Sequence, residues 1–208
     1  MMNVNEIIED VFDLFDEPTA NGGVSKYSQD DNALVTRIIN RVYSDICRKT
    51  GCSRATYSFN TVPGQREYSM PEDCCGIKKV IYDRFPLKLI FENRAINFVG
   101  VPVSYYQRQS GDMVIVGIDP LPTQAYWIEV SYYVRPTKRI SGTDVPELVP
   151  SDYHWLISYG TVAELFKIDK GDTSNGFVKW SGLYQSGLDD LKQYIRNGIN
   201  GDKYPSIR

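Results

Sequence analysis

The sequence predicts an α+β protein: a helical bundle built from the two ends of the chain, with an antiparallel β-sheet or small sandwich inserted between them. Three observations predict it. Apolar residues recur at helical spacing over 4–15 and 34–46, short strand-like runs punctuated by Gly, Pro and Asp take over between 55 and 140, alternating with period two at 57–62, and helical spacing returns after Pro150. At 208 residues the chain is long enough to bury a core without disulfide or metal staples.

The first helix carries Val4, Ile7, Ile8, Val11, Phe12, Leu14 and Phe15 on an apolar stripe and ends at Glu17-Pro18, before an Asn21-Gly22-Gly23 loop. A longer helix starts near Ser28, with Ser28 and Asp31 suited to capping. It turns Leu34, Val35, Ile38, Ile39, Val42 and Ile46 inward and stops near Thr50-Gly51. Strands follow at 57–62, 67–71, 77–82, 103–108, 113–117 and 127–134, with Pro63-Gly64 as a turn and Ser110-Gly111-Asp112 as a hairpin. Close spacing without helices between them predicts antiparallel pairing.

After Pro150, Ser151 is placed as N-cap, with Asp152 in the first turn, for a helix whose apolar face is Trp155, Leu156, Tyr159, Val162, Ala163, Leu165 and Phe166. A loop over 171–176 leads to a last helix bearing Phe177, Trp180, Leu183, Tyr184, Leu188, Leu191 and Ile195, ended by Asn197-Gly198. The organisation expected is a bundle of residues 1–54 and 141–198, a β unit of 55–140, and an extended C-terminal tail of 199–208.

The net charge of −3 is a cancellation. Residues 1–31 carry eight acids against Lys26 alone, whereas 32–54 carry Arg37, Arg41, Arg48, Lys49 and Arg54 against Asp45. Such blocks shape contact surfaces more than folds. The slightly acidic total argues against a dedicated nucleic-acid binder. No stretch approaches the ~18 apolar residues of a membrane span. The N-terminus lacks a secretory layout, and four irregularly spaced cysteines do not make a secreted scaffold, so synthesis in a reducing cytoplasm is expected.

Catalytic vocabulary is thin. The single histidine, His154, lacks a nucleophile or metal partner in the pattern around it and reads as a helix-surface or interface residue. Cys47-x4-Cys52 and the adjacent Cys74-Cys75 do not have zinc spacing and read as buried or partly buried thiols. Phosphate-loop, dinucleotide and nucleophile-elbow motifs are missing, and no cofactor or metal is expected. Tyr is abundant, with 15 copies, and suits contact surfaces. Tyr105-Tyr106, Tyr132-Tyr133 and Trp127 could form an aromatic platform for sugars or bases, although alternation turns one of each tyrosine pair into the core.

Several local patterns in order carry a resemblance. They are Asp31-Asn32-Ala33-Leu34-Val35-Thr36-Arg37-Ile38-Ile39-Asn40, then Tyr68-Ser69-Met70-Pro71-Glu72-Asp73 with Ile77-Lys78-Lys79-Val80, then Ile118-Asp119-Pro120-Leu121-Pro122, and last Val145-Pro146-Glu147-Leu148-Val149-Pro150-Ser151-Asp152-Tyr153-His154 with Ala163-Glu164-Leu165-Phe166. From about Asn32 to Phe166 the chain resembles the head-to-tail adaptor proteins of short-tailed bacteriophages, the connector or tail-tubular-A-like family. Met70 stands in that family's Leu place, and the acidic first helix and Cys74-Cys75 fall outside the pattern.

The resemblance implies a structural virion protein at the head-tail junction, made in the bacterial host cytoplasm. It would be a dodecameric ring between portal protein and tail nozzle or tail tube protein, with DNA passing through the lumen without sequence-specific binding. It implies no enzyme and no membrane partner. Carried over, Lys203, Tyr204, Pro205, Ile207 and Arg208 of the tail become portal-docking candidates. Candidates for subunit or tail contacts are Asp10, Asp13, Arg37, Arg41, Tyr105, Tyr106 and Trp127, the acidic helix of one subunit facing the basic helix of the next. The alternative is a carbohydrate-binding tail accessory using the aromatic β unit; an enzyme acting on the cell wall ranks third.

Overall fold

The computed structural model describes residues 1–15, 32–95 and 98–201, the last four as backbone only. It is an α+β protein whose chain divides into two compact units, Met1–Cys52 with Lys138–Arg208, and Ser53–Thr137.

In the first unit, α1 (Val4–Phe15) buries Val4, Ile7, Ile8 and Val11. Its start is fixed by a reciprocal pair: the Glu6 N–H donates to Asn3 Oδ1 at 3.0 Å, and the Asn3 N–H donates to Glu6 Oε2 at 2.8 Å. Two further donors of the first turn, Val4 and Asn5 N–H, reach the carbonyls of Asp144 and Gly142. Helix α2 (Asn32–Thr50) buries Val35, Ile38, Ile39, Val42, Tyr43, Ile46 and Cys47; the expected caps Ser28 and Asp31 lie outside the described residues.

Asn40 on α2 holds the returning chain like a backbone group. Its Nδ2 donates to the Ile140 carbonyl and its Oδ1 accepts the Ile140 N–H, both at 2.8 Å. Tyr43 Oη accepts the Leu148 N–H at 3.1 Å, and burial holds that hydroxyl well above the usual phenol range.

Helices α3 (Trp155–Lys170) and α4 (Asn175–Gly201) complete the unit. Gly160 lets α3 approach closely: a Cβ there would lie 2.6 Å from Val42 Cγ1 and 2.9 Å from Tyr184 Cε2. Three details differ from expectation. Ser151 does not cap α3; it opens a 3-10 turn (Ser151–Tyr153), and its hydroxyl instead donates to Asp152 at 3.4 Å. Asn197-Gly198 does not end α4, which runs to Gly201. A helix already propagated over several turns tolerates a glycine for about 1 kcal/mol. Leu183, on the expected apolar seam, is 41% exposed.

The second unit holds β1 (Arg54–Asn60), β2 (Glu67–Ser69), β3 (Cys74–Tyr82), β4 (Phe85–Pro86), β5 (Lys88–Leu89), β6 (Val99–Gly100), β7 (Ser104–Ser110), β8 (Met113–Asp119), β9 (Leu121–Pro122) and β10 (Trp127–Val134). One sheet has the order β1-β10-β3-β4 and a second β2-β8-β7-β5. Pairing is antiparallel except for β5 with β7 and β6 with β9, which are parallel. The alternation rule missed β4, β5, β6 and β9 because two-residue strands show no period. Phe59 stacks on Tyr68 with ring centroids 4.5 Å apart, and the Ile77 N–H donates to Gln107 Oε1 at 3.1 Å, so the two sheets share a core.

Candidate functional surfaces

In the β unit, Tyr105 and Tyr106, both expected at a contact, are buried at 5% and 4% exposure. The reason is β8: Ile115 to Asp119 are all buried, so the strand beside them is covered on both faces. Tyr106 donates to Glu67 Oε1 at 2.9 Å, and Arg108 grips the same carboxylate through Nε at 2.9 Å and Nη2 at 2.5 Å. Hydrogen bonds from Arg108 hold Glu67 below the usual carboxylate range, while burial pushes Tyr106 up to about 12. Tyr132 donates to Asp73 at 3.0 Å, and Tyr133 stays half-buried under Arg54, whose guanidinium lies 5.8 Å from its ring.

Trp127 is open at 59% exposure and borders a groove of about 490 Å³ with Ile81, Tyr82, Asp83, Arg84 and Glu129. A stronger surface feature escaped the sequence reading. Phe85, Leu89, Phe91, Phe98, Val99, Val101 and Val103 are all exposed, Phe91 at 74%. They crowd into nineteen residues after the strand expected at 77–82: Phe85, Leu89 and Val99 in the short strands β4, β5 and β6, the others in the segments between β5 and β7. The available signal was composition: three Phe and no periodicity, apolar residues with no helical or strand face to bury.

In the helical unit, Asp10 is half-buried and Asp13 and Arg37 are exposed, none of them in an ion pair among the described residues. Arg41 instead pairs within the chain with Glu164. Asp45 receives Arg48 at 2.9 Å, Lys49 at 2.6 Å and the Tyr184 hydroxyl at 3.1 Å. Much of the positive block of the second helix is therefore matched on its own subunit. These groups border an open cavity of about 750 Å³ with Phe177 and Ser181. Lys203 to Arg208 lie outside the described residues.

His154 is a correction. It is 1% exposed, not a surface residue. Nε2–H donates to the Val149 carbonyl at 3.1 Å, which leaves Nδ1 to accept the Met2 N–H, also at 3.1 Å. The ring joins the chain start to the turn before α3. Among the described residues no three His, Cys, Asp or Glu are placed to hold a metal ion. No helix there is long and apolar enough to cross a membrane. Cys74 is buried, and burial pushes its thiol up to about 11.

A helical unit interrupted by a β unit, with many polar side chains bonded within the chain and a concentration of exposed apolar ones from Phe85 to Val103, has the make-up of a contact-making structural protein. The SU10 adaptor protein family model matches residues 2–203, nearly the whole chain, and the chain belongs to that family. It is thereby a phage adaptor protein. No curated protein matches it.

Proposed function

We propose that this adaptor is one sector of a ring, a dodecamer by resemblance, that joins the portal vertex to the tail nozzle and forms part of the DNA channel in the virion. Membership of the adaptor family over residues 2–203 carries this reading. The exposed apolar run around Phe91 supports it, because a monomer gains nothing from leaving that much apolar surface in water. In this reading the helical part, residues 1–54 and 141–198, meets the portal. The β part meets the next subunit or the tail component, and residues 203–208 dock on the portal. A weakly acidic chain suits a lumen through which DNA must slide, since phosphate contacts would anchor the duplex. Its role is structural rather than enzymatic, and it assembles after synthesis in the host cytoplasm.

The test is electron microscopy of the purified protein with and without portal. Rings stacked coaxially on portal are expected; monomers that never associate with themselves or with portal would sink the proposal.

A second reading rests on Trp127, whose open indole beside Asp83 and Glu129 has the composition of a sugar platform. Retention on glycan resin that Trp127→Ala abolishes would favour it over the ring.

A further inference from the structure

Five aromatic rings form a ladder in the helical unit. Tyr194 meets Tyr153 at 5.4 Å between centroids, Tyr153 meets Trp155 at 6.2 Å, Trp155 meets Tyr159 at 4.9 Å, and Tyr159 meets Trp180 at 5.1 Å. The inner end is finished: Trp180 is buried and Lys179 stands 4.6 Å over its ring. Other rings of this unit carry resident cations too: Lys49 over Tyr184, Lys167 over Phe177 and Lys170 over Phe166.

The outer end is different. Tyr153, Trp155 and Tyr194 border an open groove of about 560 Å³ together with Asp152, Asp190, Gln193 and Asn197. Among the described residues no lysine or arginine lies over these three rings, and Asp190 has no ion-pair partner. Its neighbour Asp189 is neutralised by Lys192 at 3.0 Å, so Asp190 is the uncompensated charge of the pair. The Trp155 N–H is spent on the Asp152 carbonyl at 2.8 Å, which fixes the half-buried indole at the edge of the groove, stacked beside Tyr153. Beyond burial, the charges of Asp190 and Asp152 both act on the Tyr153 hydroxyl and raise it, so the two carboxylates bear on the same ring.

We infer that the groove between the start of α3 and the last turns of α4 is a docking site for an arginine or lysine side chain presented by a segment of a partner protein. Three aromatic rings line the groove, of which Tyr194 is half exposed, and aromatic rings attract cations; Asp152 and Asp190 supply the counter-charge. That is the pairing which the unit's own lysines satisfy elsewhere. This inference goes beyond the adaptor reading and does not depend on ring formation.

The test is a titration of the full chain with the tripeptide acetyl-Gly-Arg-Gly-amide, followed by the Trp155 indole resonance in two-dimensional NMR. The comparison peptide has citrulline in place of arginine, equal in shape but uncharged. A saturable shift is expected with arginine and binding about tenfold weaker with citrulline, in line with a partly desolvated cation–π contact. Asp190→Asn and Tyr194→Ala, both at exposed positions, should each weaken it at unchanged helix content. The inference is overturned if no saturable shift occurs, or if citrulline binds equally. It also fails if the groove resonances shift with protein concentration alone, since a second copy of the chain would then be the occupant.

Discussion

The ring of Tyr106 sits against the bare backbone of Gly117, its cross-strand partner, so closely that a Cβ built at Gly117 would lie 2.1 Å from Cζ and 2.3 Å from Cε1. The ring cannot step aside, because its hydroxyl is bonded to Glu67, which Arg108 also holds. Gly117→Ala should therefore destabilise the β unit by about 1–3 kcal/mol, the usual penalty for overpacking. Urea denaturation followed by tyrosine fluorescence would measure it, and unchanged stability would show that β7 and β8 can separate at no cost.

His154 joins two distant parts of the chain through both ring nitrogens. Replacing it with Phe keeps the volume but strands the buried Val149 carbonyl and the half-buried Met2 N–H. A loss of about 2–4 kcal/mol is expected, for two hydrogen bonds and the desolvated groups they leave behind. Thermal unfolding checks the size of the loss. Faster proteolysis near the N-terminus should accompany it, because α1 loses a tether to α3.

Much of the α+β outline is legible in the chain, because helical stripes such as Ile7/Val11 and Ile38/Val42/Ile46 report burial directly. The details that escaped are those where one residue satisfies another far away. Asn40 reads as a helix-surface amide, yet it carries the backbone of Ile140. His154 reads as exposed because its partners lie 152 and 5 residues off. Tyr105 and Tyr106 read as one in, one out because alternation assumes a sheet with one wet face, and beside them β8 has none from Ile115 to Asp119. The quoted motifs turn out to be staples as well. Tyr68 donates to the Gln65 carbonyl at 2.8 Å, Asp73 accepts from Tyr132, and Asp119 accepts from Ser104 at 3.3 Å. The apolar run around Phe91 had no such pattern, since a surface meant for another molecule has no periodic reason to show itself.

Stability should fall at both ends of the pH range, for different groups. Arg108 depresses Glu67, and at Asp45 burial pulls upward but the bonds from Lys49 and Arg48 outweigh it, so both carboxyls titrate below their ordinary values. A depressed carboxyl contributes stability that is complete above its unfolded pKa, about 4. That contribution is lost as pH falls through the folded value. The urea midpoint should thus hold above about pH 5 and drop below it, and Glu67→Gln should flatten part of that drop. Tyr106 and Tyr132 work in reverse. Both are raised to about 12, chiefly by burial, so their contribution is complete below about pH 10 and lost as pH rises through 12. Absorbance at 295 nm should show a class of tyrosines that ionises only as the fold opens.

If rings form by setting the acidic face of α1 against the basic face of α2 on the next subunit, Asp13 and Arg37 are the residues to carry it. Both are exposed, and neither has an ion pair within its own subunit among the described residues, whereas Arg41 is already held by Glu164. An exposed pair is worth only about 0.2–1 kcal/mol, roughly a threefold change per contact. A closed ring repeats the contact at every interface, however, so small increments multiply in the assembly constant. Asp13→Lys or Arg37→Glu alone should shift rings toward smaller species in analytical ultracentrifugation, and the two together should restore them. Raising salt from 50 to 500 mM should mimic the single changes, as the screening length shortens to a few Å, roughly 4–5 Å at the upper end. Rings that form equally well with either single reversal, and at either salt, would rule out this pairing and leave the apolar run near Phe91 as the surface that closes the ring.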